Sequence, residues 1–132
     1  MALAFTRALL TPVAAQTINS AATYTSAEQD IGNNTLVEQI WLYLEVDGFA
    51  AAPAGNQQMV VTIAPVHTTA GTAFDDQAVS WAFAVTADQA YNFAIPVVSL
   101  PRFFKVLVLN DTAQHTDANA VDAWIEVIKI TV

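Results

Sequence analysis

The chain has 132 residues, of which 55% are hydrophobic and only 12% are charged. Soluble domains carry about 25% charged residues, so this low content indicates that the chain either sits in a membrane or has much of its surface against another protein. Because the chain has no cysteine, disulfides and thiolate metal sites are excluded. Its formal net charge of -8 argues against nucleic-acid binding, since phosphates would be repelled.

Residues 1–16 are predicted to form an extended arm ahead of the folded domain, because Pro12 prevents one continuous helix. Free termini fray unless something holds them, so the apolar side chains of the arm are predicted to contact a neighbouring subunit. These residues are Phe5, Leu9, Leu10 and Val13. As a secretory signal the segment is poor, since its apolar part is short and Arg7 lies late in it. Cleavage near Ala15, as in a secreted accessory domain of an enzyme, stays open as an alternative.

No membrane-spanning helix is predicted. The longest stretch without a charged residue, residues 48–74, contains Pro53, Gly55 and Pro65. A span needs about 20 consecutive apolar residues in a helix, which these residues interrupt. The low charge content is therefore interpreted as a sign of protein contacts.

Residues 17–132 are predicted to form one all-β domain, because apolar residues recur with a period of two. In residues 36–47, one face carries Leu42 and Leu44, and the other carries Trp41 and Tyr43. Similar alternation occurs in residues 59–63, 79–85 and 91–97, and residues 17–26 could add a strand. Residues 102–110 and 120–132 are apolar on both faces, which is typical of a sandwich interior or an interface.

Turn-forming residues separate these runs, as at Asp47-Gly48, Ala70-Gly71 and Asn110-Asp111. Short strands with this spacing favour a β-sandwich or jelly roll. The predicted organisation is thus an arm over residues 1–16 and a single-domain β-sandwich of jelly-roll type over residues 17–132.

No catalytic motif is present, and no enzyme activity or cofactor is predicted. His67 and His115 each lie in a Thr-rich stretch without a partner at metal-ligand spacing. The Asp75-Asp76 pair and the acids Asp111, Asp117 and Asp122 leave calcium open as an alternative, although the spacing and the glycine of a calcium loop are missing. No metal site is predicted.

Three aromatic residues are candidates for contact at the domain surface, namely Trp41, Tyr43 and Trp124. Each shares a strand face with polar residues, so each is expected near the boundary of the core. A carbohydrate-binding platform is one use of such residues, and packing between sheets or subunits is the other.

Residues 25–132 resemble the small jelly-roll cement, or head decoration, proteins of tailed bacteriophages. The features that carry the resemblance are Asp30-Ile31-Gly32 before a long strand, the run of residues 42–48 (LYLEVDG), and residues 100–106 (LPRFFKV) leading into Asn110-Asp111-Thr112. The resemblance implies a place on the capsid exterior, where the protein would clamp subunits of the major capsid protein.

The predicted function is therefore that of a structural virion protein, a homo-oligomer that binds the major capsid protein and neither nucleic acid nor membrane. The alternative is a carbohydrate- or receptor-binding module with the same fold. If much of the surface is interface, the acids and the exposed apolar patches should occupy separate parts of the molecule.

Overall fold

A computed structural model describes residues 4–32, 36–66 and 78–131. Within these ranges the chain forms nine β-strands. They are β1 (Ala4–Gln16), β2 (Thr23–Thr25), β3 (Gln29–Asp30), β4 (Leu36–Val46), β5 (Gln58–Pro65), β6 (Val79–Ala84), β7 (Tyr91–Pro96), β8 (Phe103–Asp111) and β9 (Val121–Thr131).

Alternating burial explains why these segments are strands. Along β8, Phe104, Val106 and Val108 are fully buried, while the residues between them are half-buried. In β4, Leu42 and Leu44 face the core, as the period of two predicts. Each such side chain contributes about 1.5–3 kcal/mol when it is removed from water, which fixes the register of its strand.

The strands form two antiparallel sheets that pack face to face. The four-stranded sheet has the order β1-β9-β4-β7, and the second sheet has the order β2-β8-β5-β6, with β3 also paired to β8. Buried side chains of both sheets form one core. This arrangement confirms the predicted all-β sandwich.

The pairing of the strands is nested along the chain. β1 pairs with β9, β2 and β3 pair with β8, β4 pairs with β7, and β5 pairs with β6. The chain therefore resembles one long hairpin that is rolled up, and the contacts β4·β9 and β5·β8 complete the two sheets. Such a rolled hairpin is the jelly-roll topology that the sequence predicts.

The first strand differs from its predicted role. Residues 1–16 are predicted to form an arm, whereas the structure places residues 4–16 in the four-stranded sheet as the edge strand β1. Its partner is β9, from Ala4 opposite Thr131 to Gln16 opposite Val121, with irregular register on both sides of Val13. Pro12 does not prevent this pairing because an edge strand tolerates a missing amide hydrogen.

Candidate interaction surface

Four loops meet at one end of the sandwich, here called the acidic end. They are residues 17–22, 47–57, 85–90 and 112–120. Backbone hydrogen bonds connect them: the Asp117 amide donates to the Gly48 carbonyl at 3.0 Å, and the Asp47 amide donates to the Ala120 carbonyl at 2.9 Å. These bonds hold the loops as one surface.

Carboxylates are concentrated at this end. Asp47, Asp88 and Asp117 lie in the loops, and Glu45, Asp111 and Asp122 lie at the adjoining ends of strands. The four cationic side chains of the chain are all elsewhere, in the half of the sandwich that lies farther from these loops. They are Arg7, Arg102, Lys105 and Lys129.

The crowding of carboxylates changes the acidity of Glu45. Its hydrogen bond with Asp47, its partial desolvation and the negative charges of Asp47 and Asp122 raise the pKa of the Glu45 carboxyl. Asp122 lies directly opposite Glu45 on the neighbouring strand. This end of the molecule therefore repels further negative charge.

A buried polar network supports the loops of the acidic end. The Asn110 side-chain amide donates to the carbonyl oxygens of Ile18 at 3.0 Å and Gln114 at 2.7 Å. Its oxygen accepts from the Thr112 hydroxyl at 2.8 Å. The Thr116 hydroxyl accepts from the Ile18 amide at 2.9 Å. All buried side-chain nitrogen and oxygen atoms of the described residues have a partner.

The opposite end, here called the apolar end, exposes hydrophobic side chains. The large apolar residues that are exposed in the described ranges are Phe5 (64%), Leu9 (50%), Val37 (37%), Val79 (54%) and Val98 (101%). The strand register places four of them in the half of the sandwich away from the acidic loops, and Leu9 opposite Glu126 at the middle of β9. The six acids just described thus lie toward one end and the exposed apolar side chains lie away from it, while Glu28 and Asp30 are exposed in the same half as the apolar side chains.

Two cations at the apolar end have polar partners. The Arg102 guanidinium contacts Asp30 at 3.1 Å and lowers the pKa of the Asp30 carboxyl. The Lys129 ammonium donates to the Ile31 carbonyl at 3.0 Å. Because these cations have partners, they do not repel an apolar neighbour as free charges would.

An apolar cleft of about 540 Å³ opens at this end between the edge strands β6 and β7. Its lining includes Trp81, Leu100 and the prolines Pro65, Pro96 and Pro101. Val79 and Val98 belong to the same lining, so the most exposed valine of the described chain borders a concave apolar surface.

The predicted arm residues have different environments. Phe5 and Leu9 are exposed on β1, and Leu10 is partly buried against the core. Val13 is only 1% exposed and belongs to the core of its own domain. The prediction of Val13 as a contact with another subunit is therefore wrong, because its side chain is already enclosed by the sandwich.

Two of the three predicted surface aromatics contact each other. Tyr43 of β4 and Trp124 of β9 are directly opposite, and their rings stack at 5.5 Å between centroids and 20° between planes. Trp41 lies two residues along β4 and is half-buried. All three point away from the core, on the outer face of the four-stranded sheet.

The remaining polar candidates do not form a common site in the part of the chain that the structure describes. His67 and the Asp75-Asp76 pair lie outside the described residues. His115 is exposed, and its Nδ1 accepts from the Ser20 amide at 2.9 Å. Asp111 accepts hydrogen bonds from Asn56 and Gln58. Among residues 4–32, 36–66 and 78–131, no three His, Asp or Glu side chains are grouped to hold a metal ion.

Sequence reasoning missed Val79 and Val98 as surface residues. Val79 was assigned to the face of β6 that also carries Trp81 and Phe83, but the end of β6 extends beyond the core. For Val98 there was a signal, because it lies between Pro96 and Pro101, and two prolines so close together favour a turn or loop over a paired strand.

The part of the chain that the structure describes contains no helix long and apolar enough to cross a membrane. No protein-family model matches the chain. A search of curated proteins also finds no match.

Comparison with solved structures finds proteins of similar fold. A chain of Desmodium yellow mottle tymovirus is 7% identical, with a TM-score of 0.54, and the match covers 98% of this chain and 86% of that one. PirA is 10% identical over 93% of this chain and 92% of its own, with a TM-score of 0.43. A chain of Bacillus endospore appendages is 14% identical over 98% and 88%, with a TM-score of 0.37. The tymovirus match supports the jelly-roll fold.

Proposed function

We propose that this chain is a structural virion protein that binds the outside of a phage capsid and stabilises contacts between subunits of the major capsid protein. The observation that carries the proposal is the separation of its surface into an acidic end and an apolar end. A protein with this polarity has one surface for adhesion and another for water.

The fold is consistent with such a role. A jelly roll of this type is shared with a chain of a tymovirus at a TM-score of 0.54. Val79 and Val98 are exposed side by side on the lining of one cleft, so a single capsid subunit could cover both. The proposed action is adhesive and involves no chemical step.

The apolar end has the composition of a protein contact. Interface centres are depleted in charged residues, and apolar side chains there are enclosed by a polar rim. Here Val79 and Val98 are exposed, while the Asp30–Arg102 ion pair lies nearby at the same end. Burial of the valines against a capsid subunit would contribute about 25 cal/mol per Å² before the costs of association.

The test measures binding of the purified chain to capsids that lack it, together with the heat resistance of the particles. We expect saturable binding that raises the temperature at which particles break. Val79→Lys should weaken binding by at least about tenfold, because a lysine would be desolvated at the contact. The matched control is Ala118→Lys, an exposed position in an acidic loop, which should bind as the wild type does.

Two outcomes would contradict the proposal: absence of wild-type binding, or equal losses in both variants. Point substitutions are preferable to removal of residues 1–15, since that deletion would remove most of β1 and the core residue Val13.

Binding of a glycan or receptor is the alternative that Trp41, Tyr43 and Trp124 favour. Their rings lie on an outer sheet face, with Glu45 and Asp122 as nearby hydrogen-bond acceptors. However, the stacked pair covers one face of each ring, which leaves less flat surface for a sugar. Glycan-array signals that disappear in Trp41→Ala would favour this alternative.

A further inference from the structure

The edge strand β1 is the longest open edge of the described sandwich. It has 13 residues, whereas the other edge strands β6 and β7 have six each, and β2 and β3 have three and two. β9 covers one side of β1, and within the described residues no strand pairs with its other side. An edge of this kind presents backbone donors and acceptors to any extended chain.

Natural edge strands are usually protected by a charge, a proline or a bulge. In β1 the protection is confined to the second half, which contains Pro12 and the register shifts around Val13. In the first half the single charge, Arg7, is held across the sheet by an ion pair with Glu126. Residues 5–10 thus form a regular edge that no other described strand covers.

The side chains along this edge are apolar and accessible. Phe5 and Leu9 are 64% and 50% exposed. Since they are four residues apart on one strand, they point to the same outer face, and Arg7 lies between them. A partner that pairs with this edge would cover both apolar side chains while it satisfies the backbone groups.

We propose that β1 pairs antiparallel with β1 of a second copy of this chain, so that the four-stranded sheets of two copies continue into one eight-stranded sheet about a twofold axis. The backbone of β1 requires an extended strand as the occupant. About a twofold axis, the backbone donors and acceptors of one β1 can pair with those of the other, because both copies use the same surface.

Charge selects the antiparallel direction. β1 ends at Gln16 beside the acidic end, where the Ala15 amide donates to Asp122 at 2.8 Å. A parallel pair would bring two acidic ends side by side in a chain of net charge -8. The antiparallel pair sends the two acidic ends in opposite directions and joins the molecules at residues 5–10, where each Arg7 keeps the ion pair with Glu126 of its own chain.

The contact is small, so we expect the two copies to associate weakly. Six residues of strand and two apolar side chains per copy bury less than the roughly 1,200 Å² of a standard stable interface. The pair should therefore form at high concentration and dissociate on dilution. On a surface that holds copies close together, the effective concentration would favour it.

The first experiment is sedimentation equilibrium of the full chain from about 1 µM to about 1 mM, a range that covers weak dissociation constants. We expect a monomer–dimer equilibrium. Leu9→Lys should raise the dissociation constant by at least about tenfold, since each substitution occurs twice in a twofold pair. Ala82→Lys, at an exposed alanine of the edge strand β6, should leave the equilibrium unchanged.

The second experiment locates the contact by amide hydrogen exchange at low and high concentration. Alternate amides of residues 5–9 should exchange more slowly at high concentration, while those of β6 should not change. A wild type that is monomeric at the highest concentration overturns the proposal, as does a dimer that Leu9→Lys leaves intact with β1 unprotected. The isolated chain is used throughout, so failure to bind capsids would be a separate result.

Discussion

The loops at the two ends of the sandwich differ in how far they bury their own polar and apolar side chains. At the acidic end, the loops carry their own buried polar network around Asn110 and a buried aromatic side chain, Phe49. At the apolar end, residues 97–102 leave Val98 fully exposed beside a cleft. The first end is enclosed by its own side chains, whereas the second leaves apolar side chains exposed among the described residues.

Because of this difference, we expect the residues of the two ends to contribute differently to folding stability and to binding. Residues that hold the acidic end contribute mainly to folding, because their contacts lie within the chain. Residues at the apolar end contribute less to folding and are available for binding. Substitutions at the two ends should therefore have distinct consequences.

The largest effect is expected for Phe49→Ala. Phe49 is 2% exposed and makes an edge contact with Tyr91 at 6.5 Å between ring centroids, so its loss should leave a cavity that costs about 4 kcal/mol of unfolding free energy. Leu100→Ala, half-buried at the apolar end, should cost about 1 kcal/mol. Urea unfolding measures both, and equal losses would remove the distinction between the ends.

A smaller loss, about 2 kcal/mol, is expected for Asn110→Ala, because three hydrogen bonds of a buried amide disappear. The Ile18 carbonyl keeps the Thr116 amide as a donor, and the Thr112 hydroxyl is freed to donate to the Gln114 carbonyl, which limits the cost. The control is Asn92→Ala, an exposed asparagine of β7, for which thermal unfolding should be nearly unchanged. An Asn110 variant as stable as this control would show that the network is dispensable.

The smallest effects concern pH and have opposite signs at the two ends. The pKa of Glu45 is raised in the folded protein, so its ionisation weakens the fold as pH rises from the ordinary glutamate pKa through the raised one. The pKa of Asp30 is lowered by its hydrogen bond with Arg102, so its contribution is present above the ordinary aspartate pKa and is lost as pH falls through the lowered one.

Glu45→Gln should therefore slightly stabilise the protein at neutral pH and have no effect below the ordinary glutamate pKa. Asp30→Asn should slightly destabilise it at neutral pH, and the difference should vanish in strong acid. Both carboxyls are solvent-exposed, so melting curves over a series of pH values are needed to resolve the changes. Shifts of the same sign in both variants would contradict the assigned causes.

Most of the fold follows from local patterns. The alternation in residues 36–47 predicts which side chains of β4 enter the core, because a strand has only two faces. β1 was harder to predict, since its first half is exposed and only Val13 and its neighbours reach the core. The pattern of such a strand resembles that of an unpaired arm.

The candidate surfaces were predicted less completely than the core. Phe5 and Leu9 were identified by their apolar character, yet Val13 has the same character and is buried. Whether a side chain is exposed depends on whether another part of the fold covers that face of its strand. The sequence of a strand that is apolar on both faces does not show which face is covered. Val98 became a candidate only when residues 97–102 were located at the end of the sandwich.

The sequence by itself determined that the chain is an all-β sandwich with low surface charge, because period-two alternation and turn residues are local properties. The tertiary structure decided where the surface charge lies. Residues as distant in sequence as Glu45 and Asp122 meet across β4 and β9, while Phe5, Val79 and Val98 gather toward the other end. That separation arises because antiparallel pairing brings alternate loops to the same end of the sandwich, a long-range effect that no local pattern encodes.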